Sequence, residues 1–178
     1  FTDEAIAHAL RAEDFKRTTS LIEAHVDALW NRDEHTQLRR WLAQLPIELV
    51  FSKPHLCILH AWDLFANGQQ DAAERSLQAA EKALGSGNDL ATASDKMRIR
   101  GRVAAIRAFL AFYRGDIPAI SRQARQALEY LPEQDLTWRG TATVALGDAY
   151  SFAGEMAAAY QARLNGLEIS KAAGNMYM

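Results

Sequence analysis

Three glycines, Gly68, Gly115 and Gly154, are each followed and preceded by the same spacing of residues, and few folds are open to a chain written this way. Five, nine and twelve positions after them stand Ala73, Leu77 and Ala80, then Ile120, Ala124 and Ala127, then Ala159, Arg163 and Gly166. Seven and four positions before them stand Ala61 and Leu64, Ala108 and Ala111, and Gly147 and Tyr150. Small or apolar residues dominate both sides. Such a pattern describes two helices packed closely across a tight bend, repeated along the chain.

Successive turn glycines are 47 and 39 residues apart, longer than the roughly 34 residues of a plain tetratricopeptide unit. The helices or their links must therefore exceed consensus length. Helical periodicity runs through almost all of the sequence, proline is scarce and β-branched alternation is nearly absent. The expected fold is all-α: tetratricopeptide-like helical hairpins, about five of them, stacked into a right-handed superhelix as one domain over residues 1–178.

The first hairpin is expected to run through Ala5, Ala9 and Leu10, turn at Glu13-Asp14 and return along Phe15, Leu21, Ile22, Val26 and Trp30. Glutamate takes the glycine slot here, so this unit is degenerate. Leu38, Trp41, Leu42 and Leu45 then recur at helical spacing up to Pro46, which cannot continue the hydrogen-bond ladder and should open a further short turn. The third hairpin starts at Pro54, with helices over 56–67 and 71–84, followed by a loop at 86–89 and loose chain over 90–94. The fourth runs over 95–114 and 118–131. The fifth, after a break at 132–135, runs over 136–153 and 156–173.

With 178 residues, 49% of them apolar and 24% charged, the chain can bury a substantial core. A net charge of −2 and an isoelectric point near 6.2 argue against direct contact with nucleic acid. Cys57 stands alone in the apolar run Leu56-Cys57-Ile58-Leu59, where a buried, inert thiol is expected, and a reducing, cytoplasmic setting fits. No stretch of 18 apolar residues suggests a membrane span. The chain opens on Phe1 inside what already reads as a helix, and so reads as a piece of a larger polypeptide.

Catalytic chemistry is poorly supplied. There is no phosphate-cradling G-x-x-x-x-G-K-[ST] loop and no strand to carry a dinucleotide fingerprint, so no cofactor is expected. The five histidines, His8, His25, His35, His55 and His60, lack the i, i+4 pairing that would hold zinc. No acid, base and nucleophile converge, and the chain is read as a non-enzyme. The basic run from Lys96 to Arg102 is expected to form a solvated helix face.

Binding is better supplied. In tetratricopeptide-like stacks the first helix of each hairpin lines a concave face, at slots two, three, six and thirteen residues before the turn glycine. Those slots hold His55, Trp62, Phe65 and Ala66, then Arg102, Phe109, Phe112 and Tyr113, then Thr141, Asp148, Ser151 and Phe152. Rings give apolar platforms and a few polar groups fix orientation. The candidate binding residues are His55, Trp62, Phe65, Arg102, Phe109, Tyr113, Asp148 and Phe152. Core packing is the competing reading for Trp62, Phe65 and Phe112, whereas Arg102, Tyr113 and Asp148 are expected to be exposed. Trp30 and Trp41 are expected to pack the first two hairpins together, and Trp138 fits packing or exposure equally.

The string Ala9-Leu10-Arg11-Ala12-Glu13-Asp14-Phe15, then Leu21-Ile22-Glu23, Trp30, Trp41-Leu42 with Leu45-Pro46-Ile47-Glu48, Pro54-His55-Leu56 and Gly68 to Glu74, resembles the repeat region of the MalT-like large ATP-binding transcriptional activators of the LuxR class. The step from Trp41 to Pro46 is its most specific part, and the likeness is strongest over roughly the first 85 residues. In that family an ATPase module precedes the repeats and a helix-turn-helix domain follows them. The resemblance implies a sensor fragment that takes a small inducer or a regulatory protein and controls self-association. The alternative is a tetratricopeptide adaptor that grips a peptide of another protein.

Overall fold

A computed structural model describes residues 2–31, 35–85 and 92–173. Its helices are α1 (Thr2–Arg11), α2 (Phe15–Asn31), α3 (His35–Leu42), α4 (Ile47–Phe51), α5 (Pro54–Ala66), α6 (Gln70–Gly85), α7 (Ala93–Tyr113), α8 (Ile117–Tyr130), α9 (Leu136–Phe152) and α10 (Met156–Ala172). No strand occurs among the described residues, and the fold is an all-α helical repeat. The chain divides into two compact units, Phe1–Ala83 and Leu84–Met178.

The same backbone device closes four hairpins. Gly68, Gly115 and Gly154 have φ of 75°, 70° and 78°. In each turn the glycine N–H bonds three residues back, to Phe65, Phe112 or Ser151, and the next N–H bonds five back, to Leu64, Ala111 or Tyr150. This double closure satisfies the helix's last carbonyls and needs a left-handed residue, which glycine adopts without steric cost. Glu13 makes the same closure: its φ is 53°, its N–H bonds Leu10 and the following N–H bonds Ala9. The degenerate first repeat therefore keeps its turn, at the strain a β-carbon brings.

In unit 1, α1 packs on α2, α2 on α3, and α3 and α4 on α5. Pro46 sits one residue before α4 as its N-cap rather than inside it. A hydrogen bond of 2.9 Å between His60 Nδ1 and Ser76 Oγ ties α5 to α6, beside the fully buried Ala61, Ala73, Leu77 and Ala80. Trp41 is buried, as expected. Cys57 is buried too and donates to the Val50 carbonyl at 3.3 Å. Burial pushes its thiol pKa up to about 12, which leaves it protonated and unreactive.

In unit 2, α7 packs on α8 and α9 on both α8 and α10. The core between α7, α8 and α9 is made of Ala108, Ala111, Ala119, Ile120, Ala124, Ala145 and Ala149, with Phe109 and Leu146 packed against it. Small side chains let these helices approach closely, and Gly101 makes room for Leu131 at the end of α8. A β-carbon there would stand 2.7 Å from Leu131 Cγ.

Helix α7 starts at Ala93, two residues earlier than the periodicity predicts, because Thr92 and Asp95 form a reciprocal capping box. The loop expected at 86–89 lies outside the described residues, as do the first two residues of the loose stretch expected at 90–94. Asp116 caps α8 by accepting from the Ala119 N–H at 3.0 Å.

Candidate functional site

Rings gather at one place in each unit. In unit 1, Trp30 stands in the last turn of α2, α3 begins at His35 and α5 carries Trp62 and Phe65. The Trp30 ring meets His35 edge-on at 4.4 Å and Trp62 edge-on at 5.5 Å, and Trp62 meets Phe65 at 5.6 Å. Beside them lies a pocket of about 240 Å³ lined by Trp30, His35, Leu38, Arg39, Leu42, Leu59, Trp62, Asp63 and Ala66. Arg39 Nε pairs with Asp63 Oδ1 at 2.8 Å. His55, in the first turn of α5, is partly buried and does not line the pocket.

In unit 2, the ends of α7 and α9 place Phe112 5.7 Å from Tyr113 and 5.5 Å from Phe152. Tyr113 is 63% exposed and Phe152 54%. Phe112, a core-packing candidate, is exposed as well, whereas Ala111 beside it belongs to the alanine core, because successive helical positions face different sides of α7. Phe109, one turn earlier, packs against that core.

Asp148, expected to be exposed, is instead three-quarters covered, because it pairs with Arg163 Nη2 at 2.9 Å across α9 and α10. Burial raises its carboxyl above the ordinary 3.8, and Arg163 pulls it partly back.

Arg102 overturns its expectation. It is buried in the interior of unit 2, where Nε and Nη2 both donate to Asp135 Oδ2 at 3.0 and 2.9 Å. The guanidinium also lies 5.6 Å from the Trp138 ring, and Trp138 is itself buried. The basic run is thus a solvated face at Arg100 but not at Arg102. The reason is Asp135, which follows the break at Pro132 and whose carboxylate supplies the countercharge that lets an arginine leave water.

Sequence reasoning missed the pocket in unit 1, whose His35, Arg39, Leu59 and Asp63 come from α3 and α5. Helical spacing relates residues of one helix only, so it cannot bring α2, α3 and α5 together. The available signal was the pair of short helices, α3 and α4, that interrupts the hairpin rhythm where the pocket forms.

Hairpins with this turn chemistry and these small-residue interfaces are tetratricopeptide-class repeats. Residues 101–178 match the family model described as the MalT-like TPR region. The chain is also similar, over 88% of its length, to the HTH-type transcriptional regulators MalT of Yersinia enterocolitica and Serratia proteamaculans, at 30% identity, and of Cronobacter sakazakii, at 31%. It spans 16–17% of the length of those relatives. The family model identifies residues 101–178 as a MalT-like TPR region, and the relatives extend the similarity to 88% of the chain. The family model falls on the later hairpins, which by sequence alone read as generic repeats. No solved structure matches the chain. Among the described residues no helix is long and apolar enough to cross a membrane.

Proposed function

We propose that this chain is the sensing repeat region of a bacterial ATP-dependent transcriptional regulator. It takes a small effector or a regulatory protein on its ring-bearing faces and thereby shifts the regulator's self-association. The observation that carries this reading is the similarity, over 88% of the chain, to relatives named as HTH-type transcriptional regulators. The exposed rings support it, because solvent-facing aromatics beside a few polar groups are how binding surfaces gain affinity and orientation.

The contact set is His55, Trp62 and Phe65 in unit 1, and Phe109, Tyr113, Asp148 and Phe152 in unit 2, with Arg102 withdrawn because it is buried. An effector moves the active equilibrium only as far as it prefers one arrangement over the other. Thermal unfolding of the chain against panels of sugars, aromatic molecules and peptides tests the reading. A stabilising ligand whose effect disappears in Tyr113→Ala/Phe152→Ala or in Trp62→Ala is the expected outcome. If no ligand class raises the midpoint and no regulatory protein binds, the sensor reading fails.

A further inference from the structure

The pocket in unit 1 sits where the repeat is interrupted. Helix α3 belongs to none of the four hairpins closed by a left-handed turn, yet it supplies His35 and Arg39 to a cavity whose other walls come from α2 and α5. Departures from a regular pattern are where function is expected, since the local rule has been given up for something.

Its chemistry is specific. Trp30 and Trp62 stand nearly perpendicular, with an interplanar angle of 74°, so two flat walls meet at a corner that fits a planar guest face to one ring and edge to the other. Leu59 adds an apolar wall from α5. At about 240 Å³ the space exceeds the roughly 150 Å³ that holds one benzene ring, and so fits two fused rings.

The polar end is Arg39 with Asp63. Asp63 Oδ1 accepts from Arg39 Nε at 2.8 Å and from Asn67 Nδ2 at 3.2 Å. That pairing orients the guanidinium through Nε and leaves its outer edge, on a half-exposed side chain, to meet an acceptor. A guanidinium fork matches carboxylate and phosphate alike, and the carboxylate is the smaller of the two, which suits a pocket of about 240 Å³.

We infer that this pocket binds a planar aromatic acid of two-ring size, its rings in the Trp30–Trp62 corner and its carboxylate on Arg39. The inference deepens the sensor reading and rests on it for its regulatory meaning, because it names the class of effector. Binding itself is tested directly.

The probe is 2-naphthoate, titrated into the chain and followed by tryptophan fluorescence. Cyclohexanecarboxylate serves as the ring-free acid and 2-naphthol as the uncharged two-ring control. Saturable binding of 2-naphthoate with a Kd below about 1 mM is expected, with cyclohexanecarboxylate at least tenfold weaker. Ala66→Trp, at an exposed rim position, fills the mouth and should weaken 2-naphthoate at least tenfold. Arg39→Met keeps the apolar walls and should weaken 2-naphthoate severalfold while leaving 2-naphthol unchanged.

No saturable binding, equal binding of the ring-free acid, or indifference to both variants overturns the proposal. If 2-naphthoate binds as described but neither it nor any other effector alters self-association of the longer polypeptide, the pocket stands and the sensor reading falls. An effector response that depends on Tyr113 and Phe152 without naphthoate binding does the reverse.

Discussion

Arg102 on α7 holds Asp135 at the start of α9 through two hydrogen bonds to a single carboxylate oxygen, with both side chains more than nine-tenths buried. Removing one member of such a pair strands a charge away from water, and the two members do not suffer alike. Without Asp135, the guanidinium keeps only its place over Trp138 at 5.6 Å and other local contacts. Without Arg102, the carboxylate still lies at the N-terminus of α9, where the helix dipole favours negative charge.

Asp135→Ala should therefore destabilise unit 2 by about 3 kcal/mol or more, and Arg102→Met by clearly less. Urea unfolding of the two variants measures the difference. Equal costs would show that the helix dipole gives Asp135 no shelter.

Glu13 carries the left-handed turn that three glycines carry elsewhere. A residue with a β-carbon pays about 1 kcal/mol to stay in that region, and glycine does not. The larger backbone freedom of glycine in the unfolded chain takes back part of the gain. Glu13→Gly is predicted to raise stability by about 0.5–1 kcal/mol, read as a higher unfolding midpoint. The mirror substitution, Gly115→Glu, should lower it by a similar amount.

Much of this fold was legible in the sequence, because glycine turns and small-residue spacing are local signals. Of the nine slots counted forward from the glycines, all but that of Arg163 are buried. Even that exception obeys the packing: a β-carbon on Gly147 would stand 3.4 Å from Arg163 Cγ, so the aliphatic stem fills the slot while the head reaches out to Asp148. The burial of Arg102 was not legible, because its partner lies thirty-three residues away, beyond the whole of α8. The pocket was hidden for the same reason, since its walls come from three helices that no single period connects. Tyr113 was legible as an exposed ring, being measured from the turn that places it, whereas Asp148, expected to be exposed on the same count, is largely covered beside Arg163.

Gly101 is a glycine of packing rather than of backbone conformation. Its missing side chain admits Leu131, whose Cγ and Cδ2 would lie 2.7 and 2.9 Å from an added β-carbon and whose backbone N would lie 3.1 Å away. The leucine can shift but the backbone cannot, so even Gly101→Ala should cost about 1–3 kcal/mol through overpacking. Its better helix propensity returns only about 1 kcal/mol. Pairing it with Leu131→Ala should restore part of the loss, and a double-mutant cycle with strictly additive costs would show that the two positions do not meet.

His60 gives the chain a pH dependence of known sign. Burial between α5 and α6 lowers its pKa below the ordinary 6.5, with Asp63 pulling the other way. Between the folded and unfolded pKa values the unfolded chain holds the extra proton, so acid favours unfolding there. The stability contributed by neutral His60 is present above pH 6.5 and is lost as the pH falls from that value toward the lower folded one. The hydrogen bond to Ser76 Oγ accompanies the neutral ring when the hydroxyl donates to Nδ1. Asp148 acts oppositely and in a more acid window, because its raised pKa makes the folded state the readier to take a proton just above 3.8. Thermal midpoints measured from pH 8 to pH 5 should therefore decline for the native chain below pH 6.5, and the decline should be shallower in His60→Gln, whose amide can still reach Ser76 but cannot take up a proton. Parallel profiles for the two proteins would show that His60 titrates normally in the folded chain.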